Sequence, residues 1–251
     1  MPPLVYLQRP PTEEENQPQT LDSIPEVLVP KRAKLGKMIQ QMQQSGFHSW
    51  GFVIFRGYYR DDDKWRRYLQ AMKDESSAWL LHFRRHNILP QYQQWTVVED
   101  RSLENVSKQT VRQKFAEWCN GRSEARDGPG AEHALVPRSI PRFNYCIYVN
   151  ETCINMLPPY EEWAAGGFYG PEKSLPMIFI DRDCEPEGEG KDGQPDVEGC
   201  TRSYTGWMYC DIGSMTEMYN IVAGSELEEG YSYARPPLLY PSHQQGVTVP
   251  E

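Results

Sequence analysis

Trp50-Gly51-Phe52-Val53-Ile54-Phe55 decides the fold class. A nearly continuous apolar run of this length predicts a strand covered on both faces, and Arg56-Gly57 closes it. Such a strand needs packing partners above and below, and the sequence supplies helical candidates on either side. Before it, Lys34 to Gln44 reads as a short helix ended by Ser45-Gly46. After it, Asp61, Asp62 and Asp63 stand where the positive end of a helix dipole favours carboxylates, ahead of an amphipathic stretch with Trp65, Leu69 and Met72. A second helical piece is expected around Ser77 to Arg85, burying Trp79, Leu80 and Phe83, with Pro90 marking its exit.

Farther along, Trp95 to Val98 reads as a strand, and Val111, Phe115, Trp118 and Cys119 share one face of a helix. Phe143 to Val149 and Met177 to Ile180 are rich in β-formers. Tyr204 to Ile212 returns to strand-like composition and Ser214 to Val222 to helical spacing. Irregular alternation of strands and helices predicts an α+β fold, with a single mixed or antiparallel sheet of about five strands, packed helices and disordered termini. No fixed-period repeat points to a solenoid or propeller.

Three segments follow from composition. Residues 1–31 are proline-rich and polar, expected to be flexible. Residues 32–224 form one domain, interrupted by an acidic, glycine- and proline-rich loop at 185–199 that should be mobile. Residues 225–251, with Pro236-Pro237 and Pro241, read as an extended tail.

The chain has 251 residues and a formal net charge of −9, so its field repels phosphate backbones and anionic lipid. No nucleic-acid partner and no membrane partner is expected. No window approaches the roughly 18 apolar residues of a membrane helix. Residues 1–20 lack the apolar stretch of a signal peptide, leading to a cytoplasmic expectation, with the nucleus also open. Cys119, Cys146, Cys153, Cys184, Cys200 and Cys210 are then expected to be free thiols, and none form a C-x-x-C pair.

Candidate sites are few. Asp181 and Asp183 flank Arg182 at the end of an apolar strand, where a two-residue period would put both carboxylates on one face and let them share a divalent cation. Solvated strand-end carboxylates are the plainer account. With Glu185 and Asp192 they match several offsets of a calcium loop, but Pro186 stands where that loop needs its sharp glycine turn. His82 and His86 lie four apart on a predicted helix, yet Arg84 and Arg85 between them would repel a cation. Gly166-Gly167-Phe168-Tyr169-Gly170 lacks the Lys-Ser/Thr of a P-loop. Tyr145, Tyr148, Trp207 and Tyr209 could line a pocket for a planar ligand, or equally serve sheet faces.

Several blocks resemble a family of uncharacterised proteins from filamentous ascomycete fungi. They are Trp50 to Arg56, Asp62-Asp63 before Trp65, Arg126-Asp127-Gly128-Pro129-Gly130-Ala131, Arg142-Phe143 with Tyr145-Cys146 and Tyr148-Val149, and Cys200 to Tyr209. The resemblance spans roughly residues 45 to 237. It implies a fungal origin and an accessory role near metabolite biosynthesis, and it brings no catalytic residues. The functional expectation is therefore a non-catalytic accessory protein that works through another protein. The alternative is a small-ligand-binding protein or a metal-dependent enzyme using the aromatic-lined region and Asp181 with Asp183. No cofactor and no metal ligand is assigned from the sequence.

Overall fold

In a computed structural model, residues 10–24, 34–167, 173–184, 193–229, 232–241 and 248–249 are described. The first helix, α1 (Gly36–Ser45), ends at Gly46 in the left-handed region and hands the chain to strand β1 (Val53–Arg56). Helix α2 (Asp62–His82) follows directly, with the Asp61 carboxylate accepting from the Lys64 amide and Asp62 and Asp63 in its first turn. The acidic run is thus a helix start. The two helical pieces expected here are one 21-residue helix, because Ser76 and Ser77 continue the spacing without a breaker. It stops where Arg84 turns left-handed at φ 57°.

Strand β2 (Thr96–Val98) and helix α3 (Lys108–Asn120) come next, the latter capped by Ser107 accepting from Thr110 N–H. Strand β3 (Tyr145–Val149) leads into the short helices α4 (Glu151–Asn155) and α5 (Leu157–Ala165). Then come β4 (Pro176–Asp181), β5 (Trp207–Asp211), α6 (Met215–Val222) and β6 (Leu239–Tyr240).

The result is a mixed α/β architecture around one six-stranded sheet of order β2-β1-β3-β4-β5-β6. β1 runs parallel to β2 and β3, β4 is antiparallel to β3 and β5, and β6 is parallel to β5. β1 lies inside the sheet, between β2 and β3, and is wholly buried, as its apolar run requires. Phe52 meets Tyr219 of α6 at 4.9 Å on one face, and Phe55 meets Phe115 of α3 at 6.1 Å on the other.

Parts of both ends pack onto the sheet body where they are described. Within residues 10–24, Leu21 is 1% exposed and its amide donates to Tyr92 Oη at 3.1 Å. In 225–251, expected as an extended tail, Leu227, Leu239 and Val249 are buried and β6 adds a strand to the sheet. Local composition could not show this, because the partners of these apolar residues lie far away in sequence. Much of the 185–199 loop lies outside the described residues.

Asp127 explains one of the sequence blocks. Its carboxylate, 1% exposed, takes Arg126 at 2.7 Å and faces Arg142 at 3.9 Å. Arg142 in turn donates to Gly51 O and Thr96 Oγ1, at the starts of β1 and β2. Gly130, at φ 80°, lets this turn approach α1's end: a Cβ there would sit 2.5 Å from Gly46 O.

Candidate functional site

A cleft of about 770 Å³ opens where β4 ends, β3 begins and α6 terminates. Asp181 is its anchor. Its Oδ2 accepts from Tyr204 Oη at 2.7 Å and its Oδ1 from the Asp183 amide at 2.9 Å. The Asp181 amide donates to Gly206 O, and Arg112 from α3 donates to both carbonyls, Asp181 O at 2.8 Å and Gly206 O at 3.1 Å. Gly206 is at φ 72° and packs so closely on Cys184 that a Cβ would lie 2.4 Å from Sγ. Burial raises the Asp181 carboxyl above its usual range, against the Tyr204 hydrogen bond, which lowers it. The same burial and the neighbouring Asp181 charge hold Tyr204 firmly protonated.

Around this anchor the walls are charged. Arg182 donates to Phe143 O and forks onto Asp183, with Nε 2.6 Å from Oδ1. Arg138 and Ser139 come from the single turn Val136–Ser139, which Asn144 ties down through its side chain to Arg138 O at 3.2 Å. Gln41 of α1 bridges two walls, donating to Ala223 O at 2.9 Å and to Ser139 O. Glu226 and Glu228 form the far rim, and Tyr145, stacked on Phe179 at 5.2 Å, forms the floor. Its hydroxyl accepts from Leu227 N at 3.3 Å, so the segment after α6 is fastened beside the cleft. Burial also pushes the half-buried Cys184 thiol up.

The structure brings Asp181 and Asp183 to one cleft but does not converge their carboxylates. The strand ends at Asp181, so the two-residue period no longer applies, and the Asp183 side chain swings out to 67% exposure on Arg182. Among the described residues, no group of three or more His, Cys, Asp and Glu side chains is arranged to hold a metal. Glu185, Pro186 and Asp192 lie outside the described residues.

His82 and His86 are not on one helix face. α2 ends at His82, and His86 lies past the left-handed Arg84, with Nε2 2.8 Å from Asn16 Oδ1. Gly166 caps α5, and Gly167 is the last described residue of the glycine-rich stretch. All six cysteines are unpaired. Among the described residues, no helix is long and apolar enough to cross a membrane.

The four aromatics divide between two faces of the sheet. Tyr145 pairs with Asp181 and shares the α6 face with Phe179. Tyr148 pairs with Ile178 and Trp207 with Ile180, placing Tyr148, Trp207 and Tyr209 on the α3 face. Tyr148 Oη donates to Leu103 O at 3.0 Å, while Trp207 and Tyr209 line a separate cavity of about 550 Å³. One four-aromatic pocket is therefore excluded by strand parity.

Sequence reasoning missed Tyr204 as the partner of Asp181, and Arg138, Glu226 and Glu228 as wall residues. Their sole sequence signal was membership of, or nearness to, the quoted blocks, which carry no geometry. Against this mixed sheet and polar cleft, no protein-family model, curated protein or solved structure matches the chain.

Proposed function

We propose that the protein binds a small zwitterionic molecule, of the class that includes amino acids and dipeptides, in the cleft at Asp181. The observation that carries this reading is the mixed charge of its walls. Arg138, Arg182 and Arg202 and the acidic residues Asp181, Asp183, Glu226 and Glu228 line one cavity of about 770 Å³. That volume suits a small molecule. A ligand bearing one charge alone would meet like charge on some wall, whereas a zwitterion can satisfy both signs.

Holding a ligand is favoured over converting it, because the groups able to do chemistry are already engaged. Asp181 accepts from Tyr204 and from a backbone amide, Asp183 is clamped by Arg182, and Cys184 is kept as the thiol. A metal-dependent enzyme at Asp181 and Asp183 draws less support, since their carboxylates diverge. This reading makes the chain an accessory protein, in keeping with the resemblance to fungal proteins, and leaves protein interaction as a second role for its acidic loop.

Thermal unfolding in the presence of amino acids, dipeptides and neutral sugars tests the proposal. A zwitterion at about 100 times its Kd should add about 2.7 kcal/mol of stability, which raises the midpoint by roughly 5–10 °C for a chain of this size. The double substitution Arg138→Gln with Glu226→Gln should abolish the rise. If no zwitterion raises the midpoint, or if sugars raise it equally, the reading fails.

A further inference from the structure

The second cavity, of about 550 Å³, lies on the opposite face of the sheet and is organised around a cation. Its floor is Trp207 and Tyr209, 5% and 7% exposed, set edge to face at 5.4 Å. Lys108, the first residue of α3, extends across it with its side chain 12% exposed. Its Nζ lies 4.5 Å from the centroid of the Trp207 ring and pairs with the Glu198 carboxylate. An aromatic face and a carboxylate that together hold an ammonium are the elements of organic-cation recognition.

Two features set this apart from an ordinary surface pair. Lys108 opens a helix, where the positive end of the dipole disfavours a cation, so the aromatic face and Glu198 hold it against that field. Glu198 also stands at φ 51° in a tight turn closed by hydrogen bonds of 3.0 Å in both directions between Val197 and Cys200. Asn or Gly suits such a position, and a longer side chain like Glu is disfavoured there. The turn keeps a strained glutamate that delivers its charge to the cavity.

We propose that this cavity is a binding site for a protonated alkylamine, and that Lys108 is its resident surrogate, displaced when ligand enters. Trp207 supplies the cation–π face and Glu198 the counter-ion. Asn150 and Thr152 flank the ligand's path as polar wall residues. Because the surrogate must leave first, the apparent affinity of the wild type is the intrinsic affinity scaled down to the small fraction of molecules in which Lys108 has left the Trp207 face.

Calorimetric titration of the full chain with n-butylammonium, and with n-butanol as its neutral counterpart, tests this. Lys108→Ala should bind n-butylammonium about tenfold or more tightly than wild type. Adding Glu198→Gln to that variant should remove the gain, and n-butanol should bind neither. Lys108→Ser, which also vacates the Trp207 face, serves as a second variant should the alanine protein lose its fold by circular dichroism. The proposal is overturned if the lysine variants bind the amine no more tightly than wild type, if Glu198→Gln leaves the gain intact, or if butanol binds equally well.

Discussion

Asp127 and Glu75 are both buried carboxyl side chains, one facing guanidinium groups and the other a phenol. Asp127 neutralises Arg126 and the almost wholly buried Arg142. Asp127→Asn leaves Arg142 with its charge uncompensated, and urea unfolding should show a loss of about 3–5 kcal/mol. A loss within error of zero would mean that Arg126 and Arg142 are adequately solvated without it. Glu75 of α2 is 8% exposed; its Oε1 accepts from Tyr160 Oη at 2.8 Å, while its Oε2 has no hydrogen-bond partner among the described residues. Burial first, and the Asp211 charge besides, push its carboxyl from 4.5 to about 7, against the Tyr160 hydrogen bond. A carboxyl raised in the folded state keeps its proton there longer than in the unfolded chain, so stability falls as pH rises between 4.5 and about 7. At about 1.4 kcal/mol per unit this amounts to about 3 kcal/mol. Glu75→Gln should match wild type near pH 4 and exceed it near pH 8, read from denaturant midpoints; parallel pH profiles for the two proteins would refute the assignment.

At the scale of elements, β6 is the piece that local patterns failed to announce. Two residues, Leu239 and Tyr240, pair with Tyr209 and Cys210 of β5, which would otherwise be the sheet edge. Leu227 and Val249 pack with them into the core. Ending the chain after Ser225 removes three buried aliphatic side chains, and the loss should be about 5–9 kcal/mol at about 1.5–3 kcal/mol for each. Amide exchange at Tyr209 and Cys210 should quicken with it, and unchanged protection there would show that β5 does not depend on its neighbour. Most of the longer helices, by contrast, were legible, although α2 was read as two pieces and α4 and α5 were not expected. α2 and α3 carry their caps, Asp61 and Ser107, and their apolar faces in consecutive sequence, so every residue needed to recognise them lies within one window. The candidate cleft was legible at Asp181, Asp183 and Tyr145; Tyr204, the partner of Asp181, is 23 positions away and the walls come from five different segments.

For the molecule as a whole, one hydrophobic cluster runs from Leu21 to Val249 and covers both faces of the sheet. Unfolding should therefore be a single cooperative event, with far-ultraviolet dichroism and tryptophan fluorescence giving coincident curves. Separate transitions would divide the chain into independent units. The seven tryptophans report on both faces, Trp50 beside Tyr219 of α6 and Trp118 on α3, so a partial opening of either layer would be seen.

The sequence by itself determined the buried strand β1, most of the longer helices, the acidic balance and the mixed sheet-and-helix class. Each of these depends on residues within a few positions of one another or on totals that ignore order. The tertiary structure alone decided the order β2-β1-β3-β4-β5-β6, the packed ends and the division of Tyr145 from Trp207 and Tyr209. It alone also decided the pairing of Asp181 with Tyr204 and of Lys108 with Glu198. Strand register and long-range contacts fix these, and neither leaves a mark on a local window of sequence.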